Sequence, residues 1–150
     1  MMQHKDYSTS VHTYVLPDLP LVSADGENTS LLDEVNTGEP VMLNFIFTTC
    51  TTICPVLSAS FYQVQQQLGA ERDQVRMISI TIDPEHDTPE RLRAYAARYH
   101  AGQQWQFLTG NLDDIVSIQK AFGALCVPAH QSRTGPAVCV KGLLYRQAPG

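Results

Sequence analysis

The sequence has no run of about 20 consecutive apolar residues, the length a membrane-crossing helix requires. It also lacks blocks of basic charge. Ten Lys and Arg are outnumbered by fifteen Asp and Glu, giving a net charge of −5, and the two signs are interspersed. Without a basic stripe there is little to neutralise a run of phosphates, which argues against a nucleic-acid partner. Internal repeats and low-complexity tracts are missing. So is the dense cysteine framework of a disulfide-stapled domain, since four cysteines occur among 150 residues. The opening Met1-Met2-Gln3-His4-Lys5-Asp6 lacks the apolar centre of a signal peptide.

What is present suits one compact domain with a core, at 43% hydrophobic residues. Residues 1–14 are polar and mixed and read as a flexible arm, with a single domain over 15–150. Val15 to Val22 reads as a short edge strand, because Pro17 and Pro20 cannot donate to a central ladder. Asp25-Gly26 signals a hairpin turn, and Leu31 to Glu34 a brief helical turn. Val41 to Phe47 is the first strongly apolar strand, and Val75 to Ile82 and Trp105 to Thr109 are two more. Between them the spacing of Leu57, Phe61, Val64 and Leu68 predicts a helix ended by Gly69. A second helix runs from Asp87-Thr88-Pro89-Glu90 to about His100, with either Asp87 or Thr88 as its cap. Ile115, Ile118 and Phe122 mark a third, and Pro136–Val140 and Leu143–Arg146 a closing hairpin. Alternating strands and helices predict an α/β sandwich with parallel central strands.

Two of the four cysteines carry distinctive chemistry. Cys50 and Cys54 lie in a threonine-rich loop between strand and helix, followed by Pro55 where a helix begins. Four apart on a helical turn, their Cβ atoms come within about 5–6 Å, inside the range of roughly 4.4–6.8 Å between Cα atoms in which a disulfide closes. The same closeness lets two thiolates grip a soft metal. The adjoining helix N-terminus favours the thiolate that both roles need. Two thiolates with few further ligands suit Cu(I), and an added imidazole admits Cu(II). Zinc generally takes four ligands in two close pairs, and no second pair occurs. Spacing alone leaves metal binding and disulfide exchange both open, beside the plainer reading of two buried thiols. Cys126 and Cys139 read as buried hydrophobes.

Phe45-Ile46-Phe47-Thr48-Thr49-Cys50-Thr51-Thr52-Ile53-Cys54-Pro55 resembles the signature of the Sco/SenC family of copper-binding assembly proteins. Ser79-Ile80-Thr81-Ile82-Asp83-Pro84-Glu85-His86-Asp87-Thr88-Pro89-Glu90 is similar to that family's second motif, and Trp105 to Gly110 to its third. The resemblance covers roughly residues 15–123. It implies a thioredoxin-like three-layer sandwich, a central mixed sheet flanked by helices with an atypical C-terminal end. It further implies a membrane-anchored domain facing the periplasm or intermembrane space. Copper would be held by Cys50, Cys54 and one distant histidine. The partner implied is the copper-centre subunit of cytochrome c oxidase, or another copper chaperone. Disulfide exchange on partner cysteines, as a thiol–disulfide reductase, is the alternative role. From Ala124 to Gly150 the chain departs from the family pattern: Arg133 or Thr134 stands where the histidine would fall, and His130 is the nearest candidate ligand.

Further candidates are weighed against plain structural roles. His86 sits in a turn beside the loop, and His4, His12 and His100 read as structural. Asp83 and Asp87 either steady the cysteine loop or cap the following helix. Capping accounts for Asp87, and Asp83 stays open. Gly135-Pro136 stands where thioredoxin-like folds place a proline against the thiols.

Overall fold

A computed structural model describes residues 14–49, 53–123 and 142–145, with backbone alone at 53–57 and 142–145. Its centre is three parallel strands, β3 (Val41–Ile46), β4 (Arg76–Thr81) and β5 (Trp105–Thr109). Nearly every residue in them is buried, polar ones included, because both faces are covered. Joined to them are β1 (Pro20–Ser23), β2 (Asn28–Ser30) and β6 (Gly142–Tyr145), all antiparallel to their neighbours. The sheet order is β2-β1-β5-β4-β3-β6.

The expected edge strand is an inner one. β1 bonds to β2 on one side and β5 on the other, with Val22 opposite both Asn28 and Thr109. The prolines permit this because Pro17 precedes the strand and Pro20 is its first residue, where a missing donor costs least. The Asp25-Gly26 turn forms as expected, with Gly26 at φ 82.

Alternation along the strands splits the core in two. Leu43, Phe45, Ile78, Ile80 and Leu108 point to the side covered by α1 (Leu31–Val35) and α4 (Leu112–Ala121), where Ile115, Ile118 and Phe122 meet them. Ile46, Met77, Trp105 and Phe107 point to the side covered by α2 (Ile53–Leu68) and α3 (Pro89–Arg98), through Phe61, Leu92 and Tyr95. Tyr14, the last residue of the expected arm, packs its ring 5.3 Å from Phe122. The rest of that arm lies outside the described residues.

The buried stripe of α2 is more polar than the apolar spacing implied. Ser58, Phe61 and Gln65 are buried, while Val64 and Leu68 are half-buried. Ser58 hydrogen-bonds the Tyr95 hydroxyl at 2.7 Å, which lets this stripe bury polar atoms with their partners supplied. Gly69 follows α2 at φ 53, the left-handed stop expected of it. α3 ends at Arg98, two residues short of His100, which itself takes φ 52.

Candidate functional site

β3 hands over to a loop at the carboxyl end of the parallel strands, where open α/β sheets place their ligands. Phe47 is buried, Thr48 half-buried and Thr49 exposed, and α2 opens at Ile53. The helix starts two residues before Pro55, which therefore sits inside its first turn. Cys50, Thr51 and Thr52 lie outside the described residues. Cys54 is the second residue of α2, described by its backbone, one turn before Ser58 at the end nearest the loop. His130, Cys126, Cys139, Gly135-Pro136 and the Pro136–Val140 segment of the expected hairpin also lie outside. Its other segment is β6, which pairs with β3, Leu143 opposite Leu43.

The described part of the loop is tied down by Asp87. This aspartate is fully buried. Its Oδ2 accepts from the Thr48 N–H at 3.0 Å and from the Thr81 hydroxyl at 2.7 Å, and its Oδ1 accepts from the Thr48 hydroxyl. Thr48 follows β3 and Thr81 ends β4, so one carboxylate joins the tips of two parallel strands. Capping, the role expected for Asp87, belongs instead to Thr88, whose side chain accepts from the Arg91 N–H at 3.3 Å. The signal was in the sequence: a proline at the first helical position makes the residue before it the cap. With Pro89 there, Thr88 caps and Asp87 is released to reach the loop.

Asp83 shapes the turn between β4 and α3. Its N–H donates to Thr81 Oγ1 at 3.0 Å, its carbonyl accepts from the N–H of Asp87 at 2.9 Å, and its buried Oδ1 meets His86 Nδ1 at 3.1 Å. The His86 side chain is 52% exposed. Beneath α2 a polar thread crosses the sheet. Trp105 Nε1–H donates to Ser79 Oγ at 3.0 Å, and the Ser79 hydroxyl donates to Asn44 Oδ1 at 2.6 Å. Each of the three sequence motifs borders or contributes to this thread. The third also carries Gly110, where a Cβ would press on Leu21 at 3.3 Å, and leads into Asn111, the cap of α4.

Among the described residues, no group of three or more His, Cys, Asp or Glu is placed to hold a metal. None of their helices is long and apolar enough to cross a membrane. What the local structure does supply is a strand-to-helix loop with one end held by a helix and the other by a buried carboxylate.

A family model described as SCO1/SenC matches residues 9–138. The SCO1 protein homolog of Bacillus subtilis (strain 168) is 42% identical over 98 residues, 65% of this chain and 50% of the relative. A Stutzerimonas stutzeri protein, provisionally named as copper-binding, is 35% identical over 135 residues, 89% of this chain and 64% of its own. The chain thus spans between half and two thirds of the length of these relatives. A solved structure of BsSco superposes with a TM-score of 0.65 at 39% identity, covering 75% of this chain and 66% of that one. That protein is described as a member of the Sco family of cytochrome c oxidase assembly proteins, with a disulfide switch. The architecture is the thioredoxin-like sandwich of the Sco proteins, as the sequence led us to expect.

Proposed function

Since the chain belongs to the SCO1/SenC family, we propose that it is a copper-binding metallochaperone serving assembly of the copper centre of cytochrome c oxidase. Cys50 and Cys54 supply the thiolates, and His130 is the third ligand. The observation that carries this reading is the Cys50–Cys54 loop following the central strand β3 in a chain that matches the family over residues 9–138. A soft dithiolate selects Cu(I) over harder cations. The Stutzerimonas relative named for copper supports the cargo, and the description of BsSco supports the setting. Copper passes to a partner's cysteines, on the oxidase subunit or another chaperone, by stepwise exchange of thiolate ligands. The domain works on the periplasmic or intermembrane-space side, tethered to the membrane in the full-length protein.

Titration of the fully reduced protein with Cu(I), in competition with a chromogenic chelator, tests the proposal. One tight equivalent is expected, lost in a Cys50→Ser/Cys54→Ser variant and weakened in His130→Ala. Equal binding by the double-serine variant would end it.

One observation favours a second reading. The disulfide switch described for BsSco supports thiol–disulfide exchange at the same pair, one thiolate attacking and the other resolving the mixed disulfide. Catalytic turnover of a disulfide by the metal-free protein, lost on replacing either cysteine, would establish that activity.

A further inference from the structure

We propose that Asp87 is a positioning residue for the Cys50–Cys54 pair, holding Cys50 within bonding reach of Cys54; this rests on the reading of those cysteines as the working dithiol. Cys54 is fixed by α2, and the other end of the loop is fixed at Thr48, two residues before Cys50. Consecutive Cα atoms are about 3.8 Å apart, so Cys50 cannot stray more than roughly 7–8 Å from the pinned Thr48 Cα. If Thr48 is released, the nearest anchor upstream is Phe47, buried in the core, and the thiol samples a wider volume. Metal binding and disulfide closure both demand a narrow range of sulfur separations, so both weaken as that volume grows.

Three features separate this role from plain turn-making. The turn into α3 already has its cap in Thr88, and the Asp83 carbonyl already accepts the Asp87 N–H. The Asp87 side chain is therefore not needed for either. Burying a carboxylate is costly unless donors surround it. The three donors that surround this one come from Thr48 and Thr81, two of them from the loop residue itself. Finally, the contact bridges 39 residues of sequence and lands at the loop carrying the thiols, not on the helix that Asp87 precedes.

The test uses four variants of the whole chain and two readouts. The first readout is Cu(I) affinity. The second is the equilibrium with dithiothreitol: the reduced Cys50–Cys54 pair plus oxidised dithiothreitol gives the protein disulfide plus reduced dithiothreitol. Asp87→Ala is expected to lower copper affinity and the disulfide-forming constant by about tenfold or more, the usual effect of removing a group that orients ligands. Asp87→Asn recovers most of both losses, because its carbonyl still accepts from Thr48 N–H and Thr81 while its amide donates to the Thr48 hydroxyl. Thr88→Ala loses helix stability with neither readout moving. Should Asp87→Ala fail to fold, Thr48→Val removes one of the three bonds and is read in the same way, with a smaller loss in the same direction. Unchanged constants in Asp87→Ala, or equal losses in Thr88→Ala, would overturn the proposal. The dithiothreitol equilibrium needs no metal, so a parent protein that fails to bind Cu(I) refutes the copper reading while the positioning role is still decided.

Discussion

Gln65 on α2 donates its side-chain N–H to the carbonyl of His100 at 2.9 Å, and so bolts the helix that follows the cysteine loop to the turn that ends α3. Its Oε1 accepts from Gly102 N at 2.8 Å and from Gln104 Nε2 at 3.0 Å. Gln65 is 3% exposed, so water cannot replace these bonds. Gln65→Leu keeps the volume and strips the bonds, orphaning several groups at roughly 1–3 kcal/mol each. We expect a loss of at least about 2 kcal/mol by urea unfolding; a loss under 0.5 kcal/mol, roughly the scatter of surface changes, would contradict this account.

The Ser79 hydroxyl is both donor and acceptor in the thread from Trp105 to Asn44. Ser79→Ala leaves a buried indole N–H and a buried amide oxygen without their partner. A loss of about 2 kcal/mol is expected, with tryptophan emission altered in the still-folded protein. Calorimetry beside fluorescence checks both halves.

Phe45 is fully buried in β3 and meets Phe122 edge-on, ring centroids 6.2 Å apart. Phe45→Ala opens a cavity on the α4 side and should cost about 3–5 kcal/mol. Much of the marginal stability of a domain this size would then be gone. Thermal unfolding in circular dichroism would reveal a well-folded variant if this packing mattered less.

His100 holds φ 52 without being glycine, a strained conformation for a residue with a Cβ. Its ring is exposed but lies 5.8 Å from Tyr62. Relief of strain outweighs that contact, so His100→Gly is expected to raise stability by about 0.5–1 kcal/mol. A drop in the denaturation midpoint would reverse the ranking.

Copper binding depends on the oxidation state of the pair under the proposed function. Protein oxidised at Cys50 and Cys54 offers no thiolate, and tight Cu(I) uptake should vanish and return on reduction with dithiothreitol. Retention of the metal by the oxidised form would show that sulfur is not the ligand.

The three parallel strands were legible because burial on both faces writes itself as continuous runs such as Val41–Ile46. The end of α2 was legible because Gly69 marked it. β1 was misjudged because proline excludes a residue from the ladder only where its N–H would have been used, and Pro20 is first in its strand. The buried stripe of α2 was misjudged because periodicity counts apolar residues, whereas Ser58 and Gln65 are buried through partners on α3 and the following turn. Asp87 was hidden by ambiguity: a cap and a long-range acceptor have the same letter. Only the position of Pro89 distinguishes them. The cysteine pair stood out from its spacing and loop context alone.

The chain has one tryptophan, and it is Trp105: 3% exposed, stacked on Phe107 at 5.0 Å and touching Phe61 of α2 at 5.8 Å. Nature has thus installed a single ultraviolet lamp in the seam under the helix that begins at the thiols. Excited at the red edge of the absorption band, where the six tyrosines hardly absorb, the molecule emits from that seam, and a change in how the helix is seated will register as a change of colour or brightness without any added dye.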